Sequence, residues 1–210
     1  MTIIPHPKTF HYNGLTIELH PEVYEPAEDT FQLLEALKVK TDDTILEIGT
    51  GCGLVALDCA RQGAHVVCTD LNFYAVALTK RNIQWNKKKL TGHIEVRHGD
   101  LFSVLQQNER FTMVIFNPPY LPTKSYERVG GTGWFDLATD GGHDGLSITK
   151  RFLEELPKHI EKNGCAYLVF SSLSDQKKFA AVLKKIRVHA EVVLSRRFDD
   201  ETLDIYRLQF

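Results

Sequence analysis

Long apolar runs are missing from this chain. No stretch of about 18 apolar residues occurs, so no transmembrane helix is predicted. The N-terminus, Met1-Thr-Ile-Ile-Pro-His-Pro7, has neither a basic segment nor a long apolar one, so no secretory signal is expected and the expected compartment is the cytoplasm. Cysteine is sparse: four residues, at 52, 59, 68 and 165, with no C-x-x-C pair and no metal-ligand spacing. They read as small buried side chains of a reducing compartment. Nine histidines are scattered. His93 and His98 lie on or beside one expected strand, where opposite faces are as natural as a shared ligand, so no metal site is expected. An excess of either charge is absent too. Twenty-five Lys and Arg against 27 Asp and Glu leave a net charge of −2, without the basic footprint of a nucleic-acid-binding protein. No internal repeat or low-complexity segment occurs.

What is there is an ordinary globular composition, 43% hydrophobic and 25% charged. The 210 residues suffice for one α/β domain spanning 1–210 and leave little room for a second. The stretch that organises the rest is Asn117-Pro118-Pro119-Tyr120. It follows Phe111–Phe116, a six-residue apolar run that reads as a buried strand, and so stands where open α/β sheets bind ligands. Two prolines fix φ and donate no N–H, leaving rigid backbone with accepting carbonyls. An Asn amide oxygen beside such a carbonyl can grip a planar NH2 group, and a Tyr ring can stack on it. Pro-Pro alone would fit a plain strand exit.

Upstream, Thr9–Tyr12 and Leu15–Leu19 flank Asn13-Gly14, a hairpin signal. Tyr24-Glu-Pro-Ala-Glu-Asp-Thr30 opens a helix from Glu28 to about Lys38, with Phe31, Leu33, Leu34 and Leu37 on its apolar face. Residues 1–43 thus form an N-terminal extension and first helix. Beyond its capping role, this start offers Thr30 and helix-start amides to a ligand carboxylate. Thr44–Ile48 is a strand entering a turn with glycines at 49, 51 and 53, followed by a helix over Leu54–Arg61. A loose G-x-G-x-G also fits nicotinamide-binding folds, but Glu47 would repel a pyrophosphate placed here. His65–Asp70 is the next strand. Asp70 stands seventeen positions after Gly53, close to the spacing of about 20 at which an acid meets ribose hydroxyls, although a lone Asp there also serves as an N-cap. A helix over Asn72–Trp85, a strand from Ile94 leading to Asp100-Leu101-Phe102, and a loop from Leu121 to about His143 follow. A loop of that length with so much glycine suggests a substrate lid. Asp144 is placed to cap a helix over Gly145–His159. Then come a strand at Cys165–Phe170, a basic amphipathic helix at Asp175–Ile186, and an antiparallel pair, Glu191–Leu194 with Leu203–Phe210.

Tyr24–Thr30, Glu47–Gly53, Asn117–Tyr120 and Asp140–Leu146 together resemble the HemK-type protein-glutamine methyltransferases, in the short archaeal and eukaryotic branch that acts on class I translation release factors. The resemblance extends over nearly the whole chain. It implies a Rossmann-like class I methyltransferase fold: a mostly parallel seven-stranded sheet, helices on both faces and an antiparallel terminal strand. It implies S-adenosyl-L-methionine as cofactor and S-adenosyl-L-homocysteine as product. Carried over residue by residue, Thr30 would meet the methionine carboxylate and Glu47 the amino group, beside Gly49 and Gly51. Asp70 would take the ribose, with Leu71, Asp100 and Leu101 (or Phe102) around adenine. Asn117, Pro118, Pro119 and Tyr120 would hold the glutamine amide of a Gly-Gly-Gln motif. The family also implies a small zinc-binding, Trm112-like activator subunit along the sheet edge formed by the strand at Ile94. Adenine-N6 or guanine-N2 methylation of DNA or RNA uses a similar motif, against which the near-neutral charge stands. Lysine methylation is less natural, since an ammonium must first lose a proton, and a silent cofactor-binding scaffold has no need of Asn-Pro-Pro-Tyr.

Overall fold

The computed structural model describes residues 7–122 and 133–210, so residues 123–132 of the expected loop and the N-terminal Met1–His6 lie outside the described residues. Strands β1 (Thr9–Tyr12) and β2 (Leu15–Glu18) form the expected hairpin. A seven-stranded sheet holds β3 (Thr44–Ile48), β4 (His65–Asp70), β5 (His93–His98), β6 (Phe111–Phe116), β7 (Ile160–Ser171), β8 (His189–Phe198) and β9 (Glu201–Gln209), in the order β5-β4-β3-β6-β7-β9-β8. Neighbours from β5 to β7 run parallel; β9 lies antiparallel to both β7 and β8. The fold is thus the mostly parallel Rossmann-like sheet that the resemblance implied, with β5 at one edge.

The helices α1 (Glu28–Ala36), α2 (Leu54–Arg61) and α3 (Phe73–Asn86) cover one face with the hairpin, and α5 (Ser147–Glu155) and α6 (Gln176–Ile186) cover the other. A short α4 (Trp134–Thr139) precedes them. Alternate β6 residues enter the two cores: Met113 and Ile115 on the first face, Val114 and Phe116 on the second. A strand covered on both sides must be apolar throughout, which is why Phe111–Phe116 reads as one continuous run. Phe152 of α5 is fully buried against Phe116, its ring 4.8 Å away, and so anchors α5 directly beneath Asn117.

Several boundaries differ from the sequence reading, each for a local reason. Helix α1 stops at Ala36 because Leu37 is extended and the Lys40 N–H turns to the Asp43 carboxylate at 2.7 Å. Its buried face includes Gln32, which donates to the Leu203 carbonyl at 2.8 Å, whereas Phe31 is 37% exposed and packs on Phe10 and Tyr12 of the hairpin. Helix α5 starts only at Ser147, since Gly145 has φ +71, and gives way to a 3-10 turn at Leu156–Lys158, where Pro157 supplies no N–H. Asp144 does not cap the first helical turn: it accepts from the Leu146 N–H at 3.1 Å and pairs with Lys150 and Lys178, which hold its carboxyl well below the usual range. Strand β8 is longer than expected; most of its residues are exposed, so it carries little apolar signal.

Candidate active site

The chain passes from β3 outward to β4 and β5, then crosses back to β6. That reversal opens a crevice at the carboxyl ends of β3 and β6, the position where such sheets take ligands. A cavity of about 500 Å³ lies there.

Its floor is the glycine-rich turn after β3. The Gly49 and Thr50 N–H groups donate to the Thr69 carbonyl at 2.8 and 3.0 Å, and the Gly51 N–H donates to Asp70 Oδ2 at 2.9 Å. Helix α3 holds the turn's carbonyls from behind: the Thr79 hydroxyl donates to Gly51 O at 3.0 Å and Asn82 Nδ2 to Cys52 O at 2.8 Å. Gly53, at φ +83, leaves no space for a side chain, because a Cβ would stand 2.7 Å from Thr79 Cγ2. Glu47 reaches the cavity from the last turn of β3. It is 5% exposed and accepts the Thr50 hydroxyl at 2.8 Å. Burial pushes its carboxyl up to about 8, with the Asp70 charge adding to the rise.

Asp70 ends β4, and besides Gly51 it accepts the Asn72 N–H at 2.8 Å. Burial raises its carboxyl, and these two N–H bonds oppose the rise. Both oxygens keep lone pairs for hydroxyl donors. Leu71 is 44% exposed beside the cavity, and His98 Nε2 donates to its carbonyl at 2.9 Å. Leu101 lines the cavity as expected, whereas Phe102 is buried in a stack with Phe152 and His159. Asp100 is also at the wall, but it is not alone there: Arg151 of α5 reaches its Oδ2 at 2.5 Å.

Asn117, Pro118, Pro119 and Tyr120 line the opposite wall with Thr30. Thr30 donates both its N–H (2.6 Å) and its hydroxyl (3.1 Å) to Asp29 Oδ1, a partner sequence reasoning did not single out. Asp29 is 3% exposed. Its Oδ2 accepts from Asn117 Nδ2 at 3.0 Å, from the Tyr24 hydroxyl at 3.3 Å and from the Tyr120 hydroxyl at 3.4 Å. Asn117 Oδ1 is buried and meets no donor among the described residues. Burial beside Asp29 pushes both tyrosine hydroxyls well above their ordinary range. The Asp140–Leu146 segment props up this wall. Gly141 and Gly145 run so close to Tyr120 that a Cβ on either would fall within 2.8 Å of its backbone, and Ser174 Oγ donates to the Tyr120 carbonyl at 2.9 Å. Above, α4 brings Trp134 against Phe73 (ring centroids 5.6 Å) and Phe135 towards Tyr24 (6.3 Å).

Two residues were missed by sequence reasoning. Asp29 adjoins Thr30 inside Tyr24–Thr30 and reads from sequence as a helix-dipole acid; Arg151 carries no sequence signal of its own. Among the described residues no cluster of His, Cys, Asp or Glu could hold a metal ion, and no helix is long and apolar enough to cross a membrane.

A turn carrying a buried acid, a second acid ending the next strand, and an unpaired amide oxygen at the end of β6, all on this strand order, make this a Rossmann-like methyltransferase. Residues 23–129 match the methyltransferase small domain family. A Methanocaldococcus jannaschii relative, provisionally named a protein N5-glutamine methyltransferase, is 39% identical over 180 residues, 85% of this chain and 87% of its own. The human methyltransferase HEMK2 is 33% identical over 196 residues, 89% of each chain. Among solved structures, the E. cuniculi Mtq2–Trm112 complex, responsible for methylating the eRF1 termination factor, superposes with TM-score 0.66 at 25% identity, covering 90% of this chain and 98% of that one. The chain belongs to the HemK-type family of protein N5-glutamine methyltransferases.

Proposed function

We propose that this chain transfers a methyl group from S-adenosyl-L-methionine to the side-chain amide nitrogen of the glutamine in the Gly-Gly-Gln motif of a class I release factor. The observation that carries it is the Asn117 amide: Nδ2 is engaged by Asp29, while Oδ1 is buried without a donor. An orphaned buried acceptor costs about 1–3 kcal/mol, which a substrate NH2 group would recover.

The cavity fits the cofactor on its own chemistry. Glu47 suits an ammonium and Asp70 suits vicinal hydroxyls, whereas a pyrophosphate would face both carboxylates. The start of α1 would take the methionine carboxylate, with the Thr30 hydroxyl turning to it from Asp29 Oδ1 and Gly49 and Gly51 close beneath. Leu71, Asp100 and Leu101 would enclose adenine. The bound cofactor supplies an electrophilic methyl on a sulfonium.

An amide nitrogen is a poor nucleophile because its lone pair is delocalised. Asn117 Oδ1 and the Pro118 carbonyl would accept its two hydrogens and orient it, Pro119 would keep the backbone rigid, and the Tyr120 ring would pack the amide plane. Holding the nitrogen in line supplies much of the rate, and the same oxygens stabilise positive charge developing on it. The described residues 133–142 of the expected substrate loop, several of which line the cavity, would cover the substrate. Edge strand β5 would take a small zinc-binding, Trm112-like activator, the kind of partner named in the E. cuniculi complex. A release-factor substrate would put the reaction in the cytoplasm.

The test is transfer of labelled methyl from S-adenosyl-L-methionine to a class I release factor, with and without the activator and with the Gly-Gly-Gln glutamine replaced. Transfer should vanish with the replacement. Asn117→Ala should abolish turnover while cofactor affinity stays within about twofold. Labelling of DNA or RNA and not of the factor would overturn the protein-glutamine reading.

A further inference from the structure

Asp29 is surrounded by donors. Thr30 N–H and Oγ1 approach its Oδ1, and Asn117 Nδ2, Tyr24 OH and Tyr120 OH approach its Oδ2. Five donors around one carboxyl call on both of its oxygens to accept. The consequence falls on Asn117. A primary amide can stand either way round, with its oxygen or its NH2 towards the cavity. Facing a carboxylate, NH2 inward to Asp29 is the attractive orientation, and oxygen inward would set two acceptors against each other. The oxygen is therefore turned away from Asp29, buried and without a donor among the described residues, in a side chain that lines the cavity.

Resting on the methyl transfer proposed above, we infer that Asp29 is a positioning residue for that reaction: it fixes the Asn117 amide with Oδ1 towards the substrate and so makes the site select an NH2 donor. The tyrosines complete the device. Their hydroxyls share Oδ2 with Asn117, so the ring of Tyr120 is held by the same oxygen that orients the amide.

Asp29→Asn tests this with almost no change of shape. Its remaining oxygen can keep the Thr30 N–H bond, which points its new NH2 at residue 117. Asn117 then turns its oxygen to Asn at 29 and presents NH2 to an incoming NH2. The expected result is a fall in kcat of about 100-fold with cofactor affinity within about twofold. The double variant Asp29→Asn/Asn117→Asp should recover a measurable part of kcat. Its residue 117 accepts from the new NH2 with one oxygen and from the substrate with the other. A positioning role predicts this rescue, whereas a purely structural role for Asp29 does not. Asp29→Asn with normal kcat overturns the inference, and so does a double variant no better than the worse single one. Failure of the methyl-transfer reading would be distinct, since the unmodified protein would then leave the glutamine unlabelled in the same assay.

Discussion

Asn82 of α3 bonds two separate parts of the chain with one amide. Its Oδ1 accepts the Glu18 N–H at 2.8 Å, and its Nδ2 donates to Glu18 O at 3.1 Å and Cys52 O at 2.8 Å. One turn on, Asn86 repeats the pattern with Thr16, at 2.9 and 2.7 Å. Two asparagines four residues apart on a helix thus pair with alternate residues of β2, as a neighbouring strand would. The hairpin is thereby tied to the glycine-rich turn through a fully buried side chain.

Asn82→Ala should consequently act at a distance from the cavity. It leaves one buried donor and two carbonyls without partners, costing about 2–4 kcal/mol in urea unfolding. Calorimetry should show weaker cofactor binding as well, because the Cys52 carbonyl is released. A loss below about 1 kcal/mol would show the hairpin to be held by its apolar contacts instead.

Gly53 is exposed to a sharper test. Gly53→Ala sets a Cβ 2.7 Å from Thr79 Cγ2 at a backbone φ of +83, and should cost about 3 kcal/mol in total. Adding Thr79→Ser removes that methyl but keeps the hydroxyl for the Gly51 carbonyl, and should recover about 1 kcal/mol. Additive losses in the double variant would mean that backbone strain alone accounts for the effect.

Glu47 gives the site a pH dependence. Its pKa is raised from 4.5 to about 8, so the folded chain binds a proton there that the unfolded chain has released, and stability from this group falls as pH rises between those values. An ammonium held by Glu47 favours the ionised form, so ligand binding must expel that proton. Affinity for S-adenosyl-L-homocysteine should rise from about pH 5.5 to about 7.5, with proton release seen by calorimetry in buffers of differing ionisation enthalpy. Glu47→Gln should flatten that rise. The same slope in both proteins would assign it to another group, with Asp70 the nearest candidate.

Asp100 and Arg151 form a half-exposed pair, which contributes about 0–1 kcal/mol to stability. Asp100→Ala should weaken cofactor binding about tenfold, the value of one hydrogen bond to an adenine amino group, and Arg151→Ala by less than about threefold. The reverse order would move the adenine contact to Arg151.

Asn-Pro-Pro-Tyr, Glu47 and Asp70 were legible because each stands at the end of an apolar strand, and strand ends converge in this topology. Helix periodicity misplaced Phe31 and passed over Gln32. Apolar periodicity put Phe31 in the core, but the hairpin supplied a second apolar surface for its ring, and carbonyls of β8 and β9 supplied partners for Gln32 Nε2.

By itself the sequence determined the parallel sheet, the two acids and the Asn-Pro-Pro-Tyr turn, since run lengths of apolar residues and the special dihedrals of glycine and proline act between near neighbours. Tertiary structure alone decided which way the Asn117 amide faces, and that Asp100 has Arg151 beside it. Those facts rest on contacts between residues 88 and 51 positions apart, and hydrogen-bond geometry at such separations exists only once the sheet has brought its strand ends together.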